Sequence, residues 1–261
     1  MYLADICFHS NLRSMKTLII TISLFLAALT QNAQTADQII SESIDAIGGA
    51  EAWSKVNGIE YMATVEQGGM KIPLDIVFMR DGKTYTKFSI QGMDMTQMAF
   101  DGNVLWSTNF MNQKPEKSDS ETTENFKRSV GEFPNALMSY KKLGYPATLE
   151  GEEKVDGTDC YKIKLVKKNQ LIEGVELPNI EYYFIDKESK ALLLMESEIA
   201  SGEMKGQISQ IKFSDYQEVD GLYIAFFQSM GVKDGMSQGI SMTKVVVNPE
   251  VNPENFLYKG E

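Results

Sequence analysis

The chain has 261 residues, a formal charge of -11 and a single histidine. So acidic a surface repels nucleic acid and anionic headgroups. The single histidine, His9, lies in the expected leader, so the rest of the chain lacks the usual general base and commonest metal ligand, and most hydrolytic and zinc chemistry is removed.

Met15-Lys16 precedes an apolar run, Thr17 to Leu29, followed by the small and polar residues Thr30 to Ala33. A short positive region followed by an apolar run of this length reads as a secretion signal, too short to span a bilayer comfortably. Cleavage is expected near Ala33, with residues 1–14 an upstream extension and Met15 the natural start. The expected organisation is therefore leader 1–34 and one domain over 35–261. No cysteine stands directly after the apolar run, so no lipid-attachment box is read there and the product is expected to be exported and soluble. Cys7 and His9 both lie ahead of the run, which leaves Cys160 as the only cysteine beyond it. One thiol cannot make an internal disulfide, so packing must supply stability. With no histidine to activate it, Cys160 is expected to be an inert structural thiol.

Ile39, Ile40, Ile44 and Ile47 fall at helical spacing, with Asp37 as N-cap and Gly48-Gly49 as the stop. A second short helix is expected over 50–56. After Asn57-Gly58 the pattern turns to strands, expected at 59–67, 71–80, 83–91, 93–100, 103–110, 146–154, 158–168, 180–186, 190–199, 205–216, 219–230 and 237–247. Asp-Gly recurs at 81–82, 101–102, 156–157, 220–221 and 234–235, each pair ahead of a β-rich run, as tight hairpin turns favour. So many neighbouring short strands predict a large antiparallel meander in a mainly β (α+β) fold. Residues 112–132 read as a polar loop. Pro134 opens a helix over 135–143, and 248–261 reads as an extended tail.

The strand faces are one-sided. Ile72, Leu74, Ile76 and Phe78 share a face, with Arg80 at the same parity and Asp75 opposed. Met93 and Met95 share another apolar face, and Trp106 and Phe110 share parity in their strand. Tyr161, Ile163 and Leu165 alternate with Cys160, Lys162 and Lys164. A sheet apolar on one side must cover that side. Three short helices are a sparse cover, which predicts a cavity lined by Leu74, Ile76, Phe78, Arg80, Met93, Met95, Trp106 and Phe110. All but Met1 and Met15 of the 15 methionines lie beyond the leader. Methionine suits surfaces that accept varied apolar partners, and equally fills ordinary cores.

Several motifs imitate catalysis. Gly235-Met236-Ser237-Gln238-Gly239 matches the nucleophile elbow, but that elbow needs a strand-to-helix turn and a histidine. Ser139-Tyr140-Lys141-Lys142 matches S-x-x-K without its companion elements. Glu152-Glu153 and Asp119/Glu121 are carboxylate pairs that nothing in the sequence brings to a cleft. No catalytic residue, metal ligand or cofactor motif is assigned.

The order of the segments resembles a known family. Arg80 ends an early strand, then come Phe100-Asp101-Gly102-Asn103-Val104-Leu105-Trp106, a polar loop with a helix, and Val155-Asp156-Gly157-Thr158-Asp159-Cys160-Tyr161-Lys162-Ile163-Lys164-Leu165. Glu181-Tyr182-Tyr183-Phe184-Ile185-Asp186 and Phe213-Ser214-Asp215-Tyr216-Gln217-Glu218-Val219-Asp220-Gly221-Leu222 follow. Over most of 36–258 this is similar to the outer-membrane lipoprotein-sorting proteins, the LolA-like carriers of the Gram-negative periplasm. The resemblance implies a curved, incomplete antiparallel barrel whose concave face is lidded by helices. It implies a periplasmic location, a cargo of lipoprotein acyl chains or another lipid-like ligand, and donor and acceptor proteins at the inner and outer membranes. It gives Arg80 a gating role, although Asp81-Gly82 stands where the best-known branch has proline. The residues alone leave Arg80 equally readable as a surface salt-bridge partner.

The leading expectation is thus a monomeric, non-enzymatic carrier of apolar ligands bound for the outer membrane. A secreted β-scaffold that docks a protein partner is the alternative, and a histidine-independent hydrolase using carboxylates is the third.

Overall fold

The computed structural model describes residues 34–260 apart from Gln91, so the leader expectation falls outside the described residues. Residues 36–261 form one compact unit. Helices α1 (Ala36–Ala46) and α2 (Gly49–Ser54) come first. Strands β1 (Gly58–Gln67), β2 (Met70–Met79), β3 (Thr84–Ile90), β4 (Met93–Phe100), β5 (Leu105–Thr108) and β6 (Pro115–Lys117) follow. Helices α3 (Ser120–Ser129) and α4 (Ala136–Leu143) then lead to β7 (Ala147–Val155), β8 (Thr158–Ile172) and β9 (Val175–Asp186). Then come β10 (Leu192–Glu198), β11 (Ile208–Val219), β12 (Leu222–Val232) and β13 (Ser237–Val247), followed by a tail over 248–260 with one 3-10 turn at Pro253–Asn255. All the strands pair antiparallel in one 13-stranded sheet of order β6-β5-β4-β3-β2-β1-β13-β12-β11-β10-β9-β8-β7. The ends of that order, β6 and β7, do not pair, so the barrel is incomplete as expected.

Antiparallel pairing throughout puts the turns on two opposite edges. The β2–β3, β4–β5, β7–β8, β9–β10 and β11–β12 turns share one edge, and four of these five contain Asp-Gly. Asp156-Gly157 and Asp220-Gly221 have positive φ at both residues, the two-residue hairpin geometry that the dipeptide favours. The β1–β2, β3–β4, β5–β6, β8–β9, β10–β11 and β12–β13 turns share the other edge.

The concave face carries two cores near the Asp-Gly edge. In one, Ile39 and Ile40 of α1 and Leu137 and Tyr140 of α4 pack on Ile163, Leu165, Tyr183 and Ile185. In the other, Trp53 of α2 packs on Ile59, Ala63, Leu222, Ile224, Met242 and Val245. The Tyr223 amide donates to the Ile47 carbonyl at 3.1 Å, which ties the helices to this edge. Gly48, at φ 114°, sits where a Cβ would lie 2.7 Å from the Gly221 carbonyl oxygen, so the approach requires glycine.

Asp37 lies inside the first turn of α1 rather than capping it. There it accepts from the Tyr140 hydroxyl at 2.7 Å and pairs with Lys141 at 3.1 Å, joining α1 to α4. The Tyr140 hydrogen bond and then Lys141 hold its carboxyl below the usual range. The polar loop expected over 112–132 contains β6 and α3 instead. Asp119 caps α3 by accepting from the Thr122 amide at 2.8 Å. Helix α3 contacts both β5 and β8, so it bridges the two ends of the open sheet. Asn125 exchanges two hydrogen bonds with the Leu171 backbone, and Glu121 accepts from the Glu173 and Gly174 amides.

Candidate functional site: a partly covered concave face

Registers fix which side chains face inward. Ala63 pairs with both Leu74 and Met242, Leu74 with Phe88, and Phe88 with Met95. Ile76 and Phe78 follow Leu74 at the same parity, and Met230 and Ile240 lie on the same face through β12 and β13. From β4 to β12 the inward floor within the strands is apolar or neutral, with Thr84, Thr86 and Gln228 among its few polar members. Met95 is buried, Leu74 and Ile76 are half-buried, and Phe78 and Met93 are exposed. Phe110 lies past the end of β5 and stacks on Phe88, ring centroids 5.8 Å apart.

Trp106 is the exception among the expected lining residues. It pairs with Ala99 and faces the convex side, packed with Val77, Tyr85 and Phe256. Its indole donates to the Phe256 carbonyl at 2.8 Å, and Tyr258 meets it edge-on. Shared parity within one short strand did not reveal which face was inward. The tail, residues 248–260, is the cover that makes the convex side apolar at this point.

Arg80 does lie on the concave side. Its Nε donates to the Val56 carbonyl and its Nη2 to the Trp53 carbonyl, each at 2.6 Å. It thereby satisfies carbonyls at the C-terminal end of α2, where a cation is favoured. Its guanidinium lies 5.0 Å from the Phe133 ring centroid. Among the described residues it forms no ion pair, so the surface salt bridge is not what holds it.

Beside Arg80, a cleft of about 200 Å³ separates the β2–β3 turn from residues 129–134. Phe78, Thr84, Phe126, Val130, Phe133 and Pro134 line it. Pockets for small ligands commonly run to about 300–1,000 Å³, so this cleft alone is smaller than a usual ligand pocket. Tyr61 meets Phe78 edge-on at 6.2 Å on the floor. Burial pushes the Tyr61 hydroxyl well above the ordinary tyrosine range, and it has no hydrogen-bond partner among the described residues. It is a neutral donor on an apolar floor. An open polar hollow of about 450 Å³ lies by α3 and β8–β9, but its Arg128 is held by Glu176 at 2.8 Å.

The 129–134 wall is fastened by a cluster that sequence reasoning missed. Lys167 of β8 contacts Glu132 at 2.7 Å and Glu181 of β9 at 2.8 Å, and all three side chains are nearly buried. Tyr145 donates to Glu132 and Tyr183 to Glu181. Burial opposes the charge of Lys167, but the two carboxylates outweigh it and raise its pKa. Burial, with Glu132, pushes Tyr145 up to about 12. The three charges are far apart in sequence, so no local pattern could signal them.

The catalytic look-alikes have structural positions. Ser237 opens β13 after a hairpin turn, without the strand-to-helix geometry of the elbow. Ser139 of α4 donates to the carbonyl of Phe133, ahead of the helix, at 2.9 Å. Glu152 pairs with Lys187 and Glu153 with Lys162, while Asp119 and Glu121 cap and anchor α3. Cys160 is buried against Val155, Phe184 and Leu194 on the convex face, and burial raises its thiol pKa.

No family model matches the chain, and no curated protein matches it. Solved structures do. The LolA superfamily protein NE2245 from Nitrosomonas europaea is 13% identical, covering 86% of this chain and 98% of its own, with a TM-score of 0.52. A DUF1329 family protein from Desulfovibrio piger is 15% identical over 87% and 98%, with a TM-score of 0.48. A putative outer membrane lipoprotein-sorting protein domain from Vibrio parahaemolyticus is 12% identical over 84% and 94%, with a TM-score of 0.47. The match to NE2245 carries the comparison, at a level that speaks to architecture. The open, helix-covered antiparallel sheet of this chain is a LolA-like fold.

Proposed function

We propose that this chain is an exported carrier that holds acyl chains of a lipoprotein, or of another lipid, on its concave face. One observation carries the reading: an uncharged apolar floor running from β4 to β12 is covered by helices over only part of its length. Phe78, Met93 and Met230 stay exposed on it, with Phe110 stacked at its margin. Each methylene moved from water onto such a surface is worth about 0.8 kcal/mol, so affinity grows with chain length and needs no covalent step. Tyr61 offers the polar handle, a neutral hydroxyl able to donate to a carboxyl or ester oxygen. The 129–134 wall would have to shift for a whole chain to enter the cleft, as a carrier that also releases cargo requires. Delivery toward the outer membrane, and donor and acceptor proteins, are the finer parts of the proposal.

The test is organic extraction and mass spectrometry of the purified protein, together with titration of a fluorescent fatty acid. Wild type should yield acyl species and bind the probe. Ile76→Lys, which puts an ammonium on the floor, should weaken binding at least tenfold. Absence of both acyl species and probe binding would sink the reading.

A further inference from the structure

The two edges of the sheet differ in kind. At the Asp-Gly edge, none of the five turns carries an exposed large apolar side chain. At the other edge, all six hairpins do. Met70 leaves the β1–β2 turn, Met93 the β3–β4 turn, Met111 tips β5–β6, Val175 tips β8–β9, Met204 tips β10–β11 and Met236 tips β12–β13. Met111 and Met236 are each 94% exposed, which no packing role explains. Solitary exposed apolar residues are ordinary, but one at every turn of one edge is a pattern, when the opposite edge has only Phe78 and Tyr223, each second from its strand end and outside the turn.

We propose that this methionine-tipped edge is a docking surface for a phospholipid bilayer. Its tips occur on every second strand boundary, about 10 Å apart, separated by polar turn residues. Protein partners bind through contiguous patches centred on packed aromatic or arginine anchors, whereas the exposed aromatic among the described turn residues of this edge, Phe110, is already stacked on Phe88. A bilayer interface accepts separate flexible side chains, each entering at shallow depth. The turns are mixed in charge, with Lys114, Lys205 and Lys233 beside Glu173, Glu203 and Asp234 and with Lys71 next to Met70, so apolar contact rather than net charge would hold the edge to a bilayer. Lys71, Lys114 and Lys205 make no ion pair among the described residues, so their ammonium groups can reach phosphate while the stems lie along the acyl boundary. The edge is also continuous with the uncovered part of the concave floor, through Met93 and Met230. Docked this way, an apolar ligand would pass between bilayer and floor without crossing water. The inference stands on the edge alone and holds whether or not the floor carries an acyl chain.

The experiment is vesicle flotation of the purified protein with phosphatidylcholine vesicles, whose headgroups carry no net charge. Wild type is compared with the triple variant Met111→Ser, Met204→Ser, Met236→Ser, none of which lies on the floor. Wild type should float with the vesicles, and the triple variant should partition at least tenfold less. The variant should keep the wild-type melting temperature and fatty-acid probe affinity. Failure of the wild type to float overturns the proposal, as does equal flotation of the variant. Attachment that needs a protein in the vesicles overturns it in favour of a protein partner.

Discussion

Lys167→Met isolates the cluster that fastens the wall of the cleft. In the wild type, one ammonium sits 2.7 and 2.8 Å from two carboxylates, with all three side chains almost shut off from water. Removing the lysine leaves Glu132 and Glu181 facing each other with only the Tyr145 and Tyr183 hydroxyls as donors. Breaking a buried ion pair from one side costs about 3–5 kcal/mol, chiefly through the charge left behind. For a domain of this size that lowers the melting temperature by about 6–20 °C. Thermal melts followed by circular dichroism would read it. The triple change Lys167→Met, Glu132→Gln, Glu181→Gln keeps an acceptor for each tyrosine and removes every charge. It should recover most of the loss. A single variant within about 1 kcal/mol of wild type, or a triple variant no better than the single one, would refute the claim that the charges are desolvated and mutually dependent.

Arg80→Met removes two charge-assisted hydrogen bonds to α2 carbonyls and should cost about 2–4 kcal/mol by chemical denaturation. Fatty-acid probe affinity should barely move; a large affinity change without a stability loss would instead favour gating. Phe256→Ala should cost about 3–5 kcal/mol by uncovering Val77, Tyr85 and Trp106. In a Trp53→Phe background, Trp106 emission should ignore a fatty-acid titration, because Trp106 lies on the far side of the sheet; a ligand-dependent shift would contradict that placement. Gly48→Ala should cost about 1–3 kcal/mol through its positive φ and its clash with the Gly221 carbonyl. For Asp37, the folded pKa is depressed, so its contribution is present above the unfolded value and lost as pH falls through the folded one. Asp37→Asn should therefore flatten the acid limb of the stability curve, and an unchanged limb would show the Tyr140 contact to be idle.

The strands were legible because alternation and turn dipeptides are local. Ile72, Leu74, Ile76 and Phe78 face inward together, as their parity required. Parity states which residues agree and not which face is the interior, which is why Trp106 was misassigned. The deciding contacts, with Phe256 and Tyr258, come from a tail 150 residues away from it. Helix α3 escaped notice because it has no apolar stripe. Its signals were subtler: the Asp119 cap, Glu121 in the first turn, Lys127 and Arg128 in the last. The Glu132–Lys167–Glu181 cluster joins a loop to two strands and leaves no periodicity to find.

The uncovered floor has a cause in chain connectivity. Helix α2 ends at Ser54 and β1 begins at Gly58, so the N-terminal helices must lie over the edge from which β1 departs. Gly48 against Gly221, Ile47 with Tyr223, and Arg80 with Val56 and Trp53 hold them there. That edge is the Asp-Gly edge. Two short helices anchored at one margin cannot also cover the opposite one, and α3 is committed to joining β5 to β8. The concave strands nevertheless continue apolar to their far ends, where Ile72 is buried by its neighbours, Ile90 is half-buried, and Met93 and Met230 are exposed. An apolar surface continued past its cover is unfavourable in water unless something else meets it. The methionine tips stand at that same margin, so the open floor and the proposed bilayer edge follow from one architectural fact: the covering helices are fastened to the other side.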